Sequence, residues 1–164
     1  MRFKWVPEPP GSIEALDAAQ RAIPLVPARE ADCLRRLVDR ETGIDNRDNG
    51  RRWLTFLRAL GLIERVASGY RRRRAEPTAD ELVDRLLNDI YGARELYDVL
   101  AAADRPLSLD DLDTRAAVDL PTWERHHHVS DHEQVRRRRL RRLVGWFVLC
   151  DAVEEAADGY VITN

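Results

Sequence analysis

All four histidines of the chain lie in one short run, where they could bind a metal ion or change charge with pH. The run spans residues 126–132 and reads HHHVSDH. On a helix that began early, His128, Asp131 and His132 would share one face, and neutral imidazoles suit zinc or nickel. A capping box at Ser130 instead predicts a later helix start, which leaves the first three histidines in a loop. We therefore expect no metal and no other cofactor, with a metal- or pH-responsive regulator as an alternative.

Three aspartates form the second group that could do chemistry, as calcium ligands or as acid–base groups. Asp110, Asp111 and Asp113 follow Ser108, which could cap a helix. Carboxylates near a helix N-terminus are favoured by the helix dipole, so we interpret this cluster as a helix start. The chain has no glycine-rich phosphate loop, no HExxH and no nucleophile motif. The Ser, His and Asp of the histidine run are neighbours in sequence, whereas catalytic triads assemble in space. We expect no enzyme.

Arginine supplies every positive charge except Lys4, and its distribution is uneven. Between residues 47 and 74 there are nine arginines against two acids. Between residues 76 and 133 there are fifteen acids against five arginines. Such a division of charge bears on binding partners and says little about fold. The arginine bias suggests a GC-rich genome and, with abundant Asp, is typical of haloarchaeal proteins.

A segment of the chain recurs at an interval of ninety residues. Residues 51–70 and 141–160 align without a gap, share Arg, Arg, Glu, Ala, Gly and Tyr, and keep apolar positions apolar. In the first copy, residues 53–60 have the spacing of an amphipathic helix, and Gly61 is a natural helix terminator. A strand, a tight turn at Ser68-Gly69 and a basic return strand follow. The repeat predicts two copies of one small domain.

The phrase FLRALGLIE at residues 56–64 resembles the junction of third helix and wing in the winged helix-turn-helix superfamily. The preceding sequence fits: Ser12 caps a first helix, a second spans about 28–40, and a turn at 42–45 leads to the third with Asp45 as its cap. The resemblance implies a mainly α fold with small β-hairpin wings, in which two winged helix-turn-helix domains follow in tandem.

The helix and turn signals also divide the chain into segments. We expect an extended arm at residues 1–11, a first winged-helix domain at 12–75, a linker and connecting helix at 76–91, and a second winged-helix domain at 92–164. The arm could enter a minor groove or pack on its own domain. The connecting helix begins with a capping box at Thr78 and could join the domains or pair with itself in a dimer.

In domains that resemble winged helices, the exposed face of the third helix usually enters the major groove and the wing contacts phosphate or the minor groove. Arg can pair bidentately with guanine and Asn with adenine, whereas wing arginines neutralise phosphate. The resemblance therefore implies double-stranded DNA as the partner, against the alternative of a solvated helix face and a charged linker. The implied DNA-binding residues are Asn46, Arg47, Asn49, Arg51, Arg52, Arg58, Arg65, Arg71, Arg72, Arg73 and Arg74.

The second copy departs from this pattern. Its wing has acids at positions 154, 155 and 158, which disfavour close approach to phosphate. Its third helix keeps six arginines that could bind DNA or a protein partner, or pair with the acidic stretch before them. These are Arg136, Arg137, Arg138, Arg139, Arg141 and Arg142.

The remaining features indicate a soluble cytoplasmic protein. The longest apolar stretch, residues 143–150, is too short to span a bilayer, and the first seven residues lack the apolar core of a signal peptide. Cys33 and Cys150 have no CxxC partner and are expected to be packed thiols.

The sequence thus predicts a DNA-binding regulator or DNA-associated factor, whose first domain contacts the duplex through its third helix and basic wing. The alternative is a tandem winged-helix scaffold that binds proteins without direct DNA contact. A homodimer, or a protein partner at the second domain, is possible under either reading.

Overall fold

The structure, a computed structural model, describes residues 2–39, 43–116 and 132–164, and the chain divides into two compact units. One unit is Pro10–Arg85, which we call the first domain. The other combines Met1–Pro9 with Leu86–Asn164, and we call it the second domain. Residues 1–9 of the predicted N-terminal arm therefore group with the second domain, and we keep the name arm for them; the first domain lies between two parts of the second in sequence.

The first domain has three helices followed by a β-hairpin. Ser12 caps the first helix as predicted, because its Oγ accepts a hydrogen bond from the Ala15 amide at 3.2 Å. The elements are α1 (Ile13–Arg21), α2 (Glu30–Asp39), α3 (Arg47–Ala59), β1 (Ile63–Val66) and β2 (Gly69–Arg72). Helix α4 (Ala79–Asp89) follows, and the domain boundary falls within it. Its predicted capping box is present, with the Thr78 amide 2.8 Å from Glu81 Oε2 and the Glu81 amide 3.2 Å from Thr78 Oγ1.

The second domain repeats this order of helices and hairpin. Its elements are α5 (Ala93–Ala101), α6 (Leu109–Arg115), α7 (His132–Leu149), β3 (Val153–Ala156) and β4 (Gly159–Ile162). Helix α6 begins at a full capping box between Ser108 and Asp111, so the interpretation of the aspartate cluster as a helix start is confirmed. The capping box predicted at Ser130 lies outside the described residues.

The two hairpins have the same register, ninety residues apart. Ile63 pairs with Arg72 in the first, and Val153 pairs with Ile162 in the second. The fold class is confirmed: the described chain is mainly α-helical, with two small antiparallel hairpins as wings.

Each hairpin gains a third, single-residue strand that the sequence pattern did not predict. Ala28 pairs with Tyr70 through two backbone hydrogen bonds of 2.9 Å, and Leu107 pairs with Tyr160 through bonds of 2.9 and 2.8 Å. The prediction that α2 begins near Ala28 is therefore wrong, because that residue is extended and α2 starts at Glu30. Leu107 is likewise extended where it pairs with Tyr160.

The shared Gly-Tyr pair of the repeat is explained by this third strand. Gly69 and Gly159 both have φ of +140°, a conformation that L side chains rarely adopt. A Cβ on Gly69 would also stand 2.7 Å from the carbonyl carbon of Ala28, and one on Gly159 would stand 2.7 Å from the Ser108 amide nitrogen. The turn therefore needs glycine both for its backbone angle and for the close approach of the third strand.

The apolar side chains predicted for the third helices form the interior of each domain. Phe56 and Leu57 of α3 are buried, as are Trp146 and Phe147 at the corresponding positions of α7. Burying a side chain of this size contributes about 1.5–3 kcal/mol to stability. The predicted packed thiols are also confirmed, since Cys33 and Cys150 are free and buried.

Candidate nucleic-acid interface

Helix α3 separates its residues into a buried face and an exposed basic face. Trp53 and Phe56 pack edge to face on the buried side, with ring centroids 6.0 Å apart. Gly50 is buried, and a Cβ there would stand 3.0 Å from Leu34 Cδ2 of α2. Glycine at this position therefore lets the two helices approach closely. The exposed positions of α3 are Arg47, Asp48, Arg51, Arg52, Thr55 and Arg58. Four of these six side chains are arginines, so the face is suited to an anionic partner.

Arg51 lies in the middle of this face and is oriented by two acids. Its Nε is 3.3 Å from Glu30 Oε1 of α2, and its Nη1 is 3.1 Å from Asp48 Oδ1 one turn earlier. Asp48 is 88% exposed and Arg51 is 55% exposed, so water screens both pairs and each contributes little to stability. Phosphate or a base edge could therefore replace these acids at small cost.

The two asparagines at the start of α3 hold the helix N-terminus. Asn46 is the N-cap, and its side-chain oxygen accepts a hydrogen bond from the Asn49 amide at 2.9 Å. The prediction that Asp45 caps α3 is wrong by one residue. Asp45 instead accepts bonds from the side-chain amides of Asn46 at 2.9 Å and Asn49 at 3.3 Å. Base reading by Asn46 or Asn49 would require these bonds to rearrange, and it stays a prediction.

The wing formed by β1 and β2 places most of its arginines in solvent. Arg65, Arg71, Arg73 and Arg74 are exposed, whereas Arg72 is half-buried. Arg71 pairs across the hairpin with Glu64 at 2.6 Å. The backbone orients the basic segment, because the Arg72 amide donates to Pro24 O at 2.8 Å and the Arg73 amide to Leu62 O at 3.1 Å.

Two positions of the basic surface were not predicted from the sequence. Arg29 is exposed just before α2 begins. A Cβ placed on Gly69 would stand 3.1 Å from the Arg29 Cα, so Arg29 lies beside the wing turn. Thr55 is exposed on α3, one turn after Arg51. The Thr55 hydroxyl donates a hydrogen bond to the Arg51 carbonyl oxygen at 3.1 Å. Thr55 could have been predicted from its helical spacing of four residues after Arg51. Arg29 could not, because it is brought beside the wing by the pairing of Ala28 with Tyr70.

A cleft of about 230 Å³ lies beside the wing. It is lined by Gln20, Arg21, Leu25, Arg72, Arg73, Arg74 and Glu76. Gln20 is buried and donates to Leu62 O at 3.0 Å, so it fixes α1 against the start of β1. The arginines of this cleft extend the basic surface from the wing along α1.

Within the second domain, the corresponding arginines contact other parts of the same domain. Arg136 pairs with Asp113 of α6 at 2.6 Å, and Arg137 pairs with Asp110. Arg139 is buried, with its guanidinium 5.6 Å from the centre of the Tyr91 ring. A deeply buried guanidinium is costly unless hydrogen-bond acceptors and aromatic rings surround it.

The N-terminal arm accepts further bonds from two of these arginines. Arg139 donates to the carbonyl oxygen of Lys4, and Arg142 donates to that of Val6 at 3.2 Å. Arg142 also lies 3.8 Å from Glu8. Arg138 and Arg141 are exposed and form no ion pair with the residues that the structure describes.

The wing of the second domain is acidic and exposed, in contrast to the first wing. Glu154 and Glu155 lie on β3 and Asp158 lies in the turn, all three in solvent. The two copies therefore share a backbone but present opposite charges at the wing.

The histidine run does not add a described site. His128 and Asp131 lie outside the described residues, and His132 is half-buried at the first position of α7. The metal hypothesis thus stays a prediction.

Comparison with known families assigns the architecture. A scan matches residues 1–164 to the halobacterial double winged helix domain. The chain belongs to this family. Comparison with curated proteins and with solved structures found no significant match. Among its described residues, this halobacterial double winged helix protein has no helix of the length and apolar character needed to cross a lipid bilayer.

Proposed function

We propose that this protein is a DNA-binding regulator or DNA-associated factor, whose first domain contacts duplex DNA through α3 and the basic wing. The observation that carries the proposal is that α3 and the wing expose arginines together, and that the pairs of Arg51 and Arg71 with neighbouring acids are screened by solvent. A winged-helix fold supports this proposal because its third helix can enter a major groove while the wing reaches the backbone. We propose no catalytic activity for this surface.

The residues of the proposed interface would divide by role. Arg47, Arg51, Arg52 and Arg58 on α3 would contact base edges or nearby phosphates. The arginines of the wing, with Arg29 beside its turn, would neutralise phosphates and set the orientation of the domain. Thr55 would add a hydroxyl on the base-facing side.

High salt constrains this proposal, since the family is halobacterial. At 1 M salt the Debye length is only about 3 Å, so phosphate attraction over distance is weak. Binding under such conditions would depend on close contacts, base readout and DNA shape more than on net charge.

A titration of labelled duplex DNA across a salt series tests the proposal. Fluorescence anisotropy would compare wild type with Arg51→Ala/Arg52→Ala, using a random-sequence duplex and starting at low salt. We expect the double variant to weaken binding about tenfold or more and to reduce the slope of log K against log salt by about 2, if both arginines contact phosphate.

The matched control removes the same charge from the second domain. Arg94→Ala/Arg115→Ala should leave both the affinity and the slope close to those of wild type. No binding by well-folded wild type at low salt, or equal losses in the two double variants, would reject DNA contact by α3.

A protein-interaction scaffold is the second candidate, favoured by the exposed acids of the second wing. Glu154, Glu155 and Asp158 would repel DNA but could attract a basic protein surface. Under this candidate, changing these acids to Gln would abolish capture of the partner, and Arg51→Ala/Arg52→Ala would leave it intact.

A further inference from the structure

The N-terminal arm is fastened to α7 through its main chain. Side chains of Arg139, Arg142 and Trp146 donate hydrogen bonds to carbonyl oxygens within residues 4–7, those from Arg142 and Trp146 at 3.2 and 2.9 Å. These three donors lie along one face of α7, and Val6 is 3% exposed beneath them. The arm is therefore an ordered part of the second domain.

The beginning of the arm has its own anchor near the end of α4. The Phe3 amide donates to Asp89 O at 2.6 Å, and Phe3 O accepts from the Tyr91 amide at 2.9 Å. Arg2 adds an exposed ion pair with Glu95 of α5 at 2.9 Å. The two groups of contacts hold the segment at both ends.

The internal repeat identifies which face of α7 the arm covers. Arg142 and Gly145 occupy the positions that Arg52 and Thr55 occupy in α3, ninety residues earlier. In the first domain, both of those positions are exposed on the proposed DNA-binding face. In the second domain, one of them bonds to the arm and the other lies against it.

Gly145 is explained by its close approach to the arm. Glycine inside a helix costs about 1 kcal/mol relative to alanine, so its presence in α7 calls for a local reason. A Cβ at this position would stand 2.8 Å from Pro9 Cγ, closer than real Cβ atoms approach. The difference between Thr55 and Gly145 thus makes room for the arm in one copy only.

The covered face retains the charge of a nucleic-acid surface. Arg138 and Arg141 are exposed beside it, and no ion pair with a described residue neutralises them. Displacing the arm would add Arg142, which would lose its carbonyl acceptor, whereas Arg139 would keep its bond to the Tyr91 carbonyl oxygen. Three arginines on one helix, Arg138, Arg141 and Arg142, would then face solvent.

We propose that the arm masks a second, latent surface for duplex DNA on α7, and that displacement of residues 2–9 opens it. The inference rests on the proposed function of the matching face of α3. With the arm in place, duplex binding is confined to the first domain. With the arm displaced, the chain has two duplex-binding helices.

A double-mutant cycle on the full chain tests this masking. Gly145→Thr restores the residue type of the first copy and should expel Pro9, whereas Arg142→Ala removes one guanidinium from the masked face. Arm release is read independently from hydrogen exchange of the Tyr91 amide, which should become faster. Gly145→Thr/Pro9→Ala is the matched control, because it removes the ring atom that the new Cβ would meet.

DNA affinity and its salt slope, measured by anisotropy with a random-sequence duplex, then give the result. In wild type, Arg142→Ala should change the Kd less than twofold, while Arg52→Ala should weaken binding severalfold. In the Gly145→Thr background, the slope of log K against log salt should steepen by about 2 or more. Adding Arg142→Ala to that background should reduce the slope again by about 1.

Failure of this inference is distinguishable from failure of the proposed function. If wild type does not bind but Gly145→Thr does, the first-domain proposal is rejected and the latent surface stands. Faster Tyr91 exchange with unchanged DNA binding overturns the latent surface. Equal losses from Arg142→Ala and Arg52→Ala in wild type overturn the masking. Should Gly145→Thr not fold, deletion of residues 2–9 replaces it in the same cycle.

Discussion

Asp111 shows how one carboxylate can fix the start of a helix. Its two oxygens accept bonds from Arg105 at 3.1 and 3.2 Å, and from the amide and hydroxyl of Ser108 at 3.0 Å each. The Arg105 guanidinium, followed by the Ser108 donors, holds the pKa of this carboxyl well below its usual range. The charged form is therefore favoured by folding.

This lowered pKa predicts a pH-dependent contribution to stability. Because the folded pKa lies below the unfolded value of about 4, the contribution is present above that pH and is lost as pH falls toward the folded pKa. Asp111→Asn should lower the free energy of unfolding at pH 7, with the difference from wild type shrinking below about pH 4. Urea unfolding at fixed salt from pH 7 to pH 2 measures this.

Arg105→Gln serves as the partner variant for that measurement, since it removes the largest cause of the pKa shift. It should give a smaller loss with the same dependence on pH. A loss for Asp111→Asn that is equal at pH 7 and pH 2 would contradict the assignment.

Single residues were predictable where the determinant is local. Ser12, Thr78 and Ser108 were identified as caps because a cap is fixed by the few residues that follow it. The cap of α3 was misplaced by one residue, since Asp45 and Asn46 are both good caps and only the turn geometry selects Asn46.

At the scale of elements, the glycines of the two wings give the sharpest test of the repeat. Gly69→Ala and Gly159→Ala should each destabilise their domain by about 1–3 kcal/mol from backbone strain alone. The overlap with the third strand should add to this loss. Gly11→Ala is the control, because no atom lies within 4 Å of a Cβ there. Thermal unfolding would contradict the explanation if the wing variants lost no more stability than the control.

The helices and hairpins were largely predictable, and their long-range pairings were not. A change from helical to strand spacing marked α3 and β1, and the repeat extended that prediction to α7 and β3. The pairing of Ala28 with Tyr70 involves a single residue, which leaves no periodicity in the sequence. The contact of the arm with α7 also leaves none, because the chain contributes main-chain carbonyls that any residue carries.

At the scale of the whole molecule, the two copies of one fold have diverged in charge and in what covers them. The first exposes a basic helix and a basic wing. The second has an acidic wing, and four arginines of its α7 are engaged within the domain: Arg136 and Arg137 pair with α6, and Arg139 and Arg142 bond to the arm. The uneven charge along the chain was visible in the sequence, but the assignment of each arginine to a neighbour required the fold.

Amide chemical shifts of the full chain, recorded with and without duplex DNA, test the central claim most directly. A ¹H–¹⁵N spectrum resolves the two domains separately in one titration, so the binding surface is located rather than inferred. Contact through the first domain predicts perturbations concentrated in residues 47–58 and 65–74, with little change in β3, β4 and the masked face of α7. Perturbations confined to the second domain, or none at low salt, would contradict that claim.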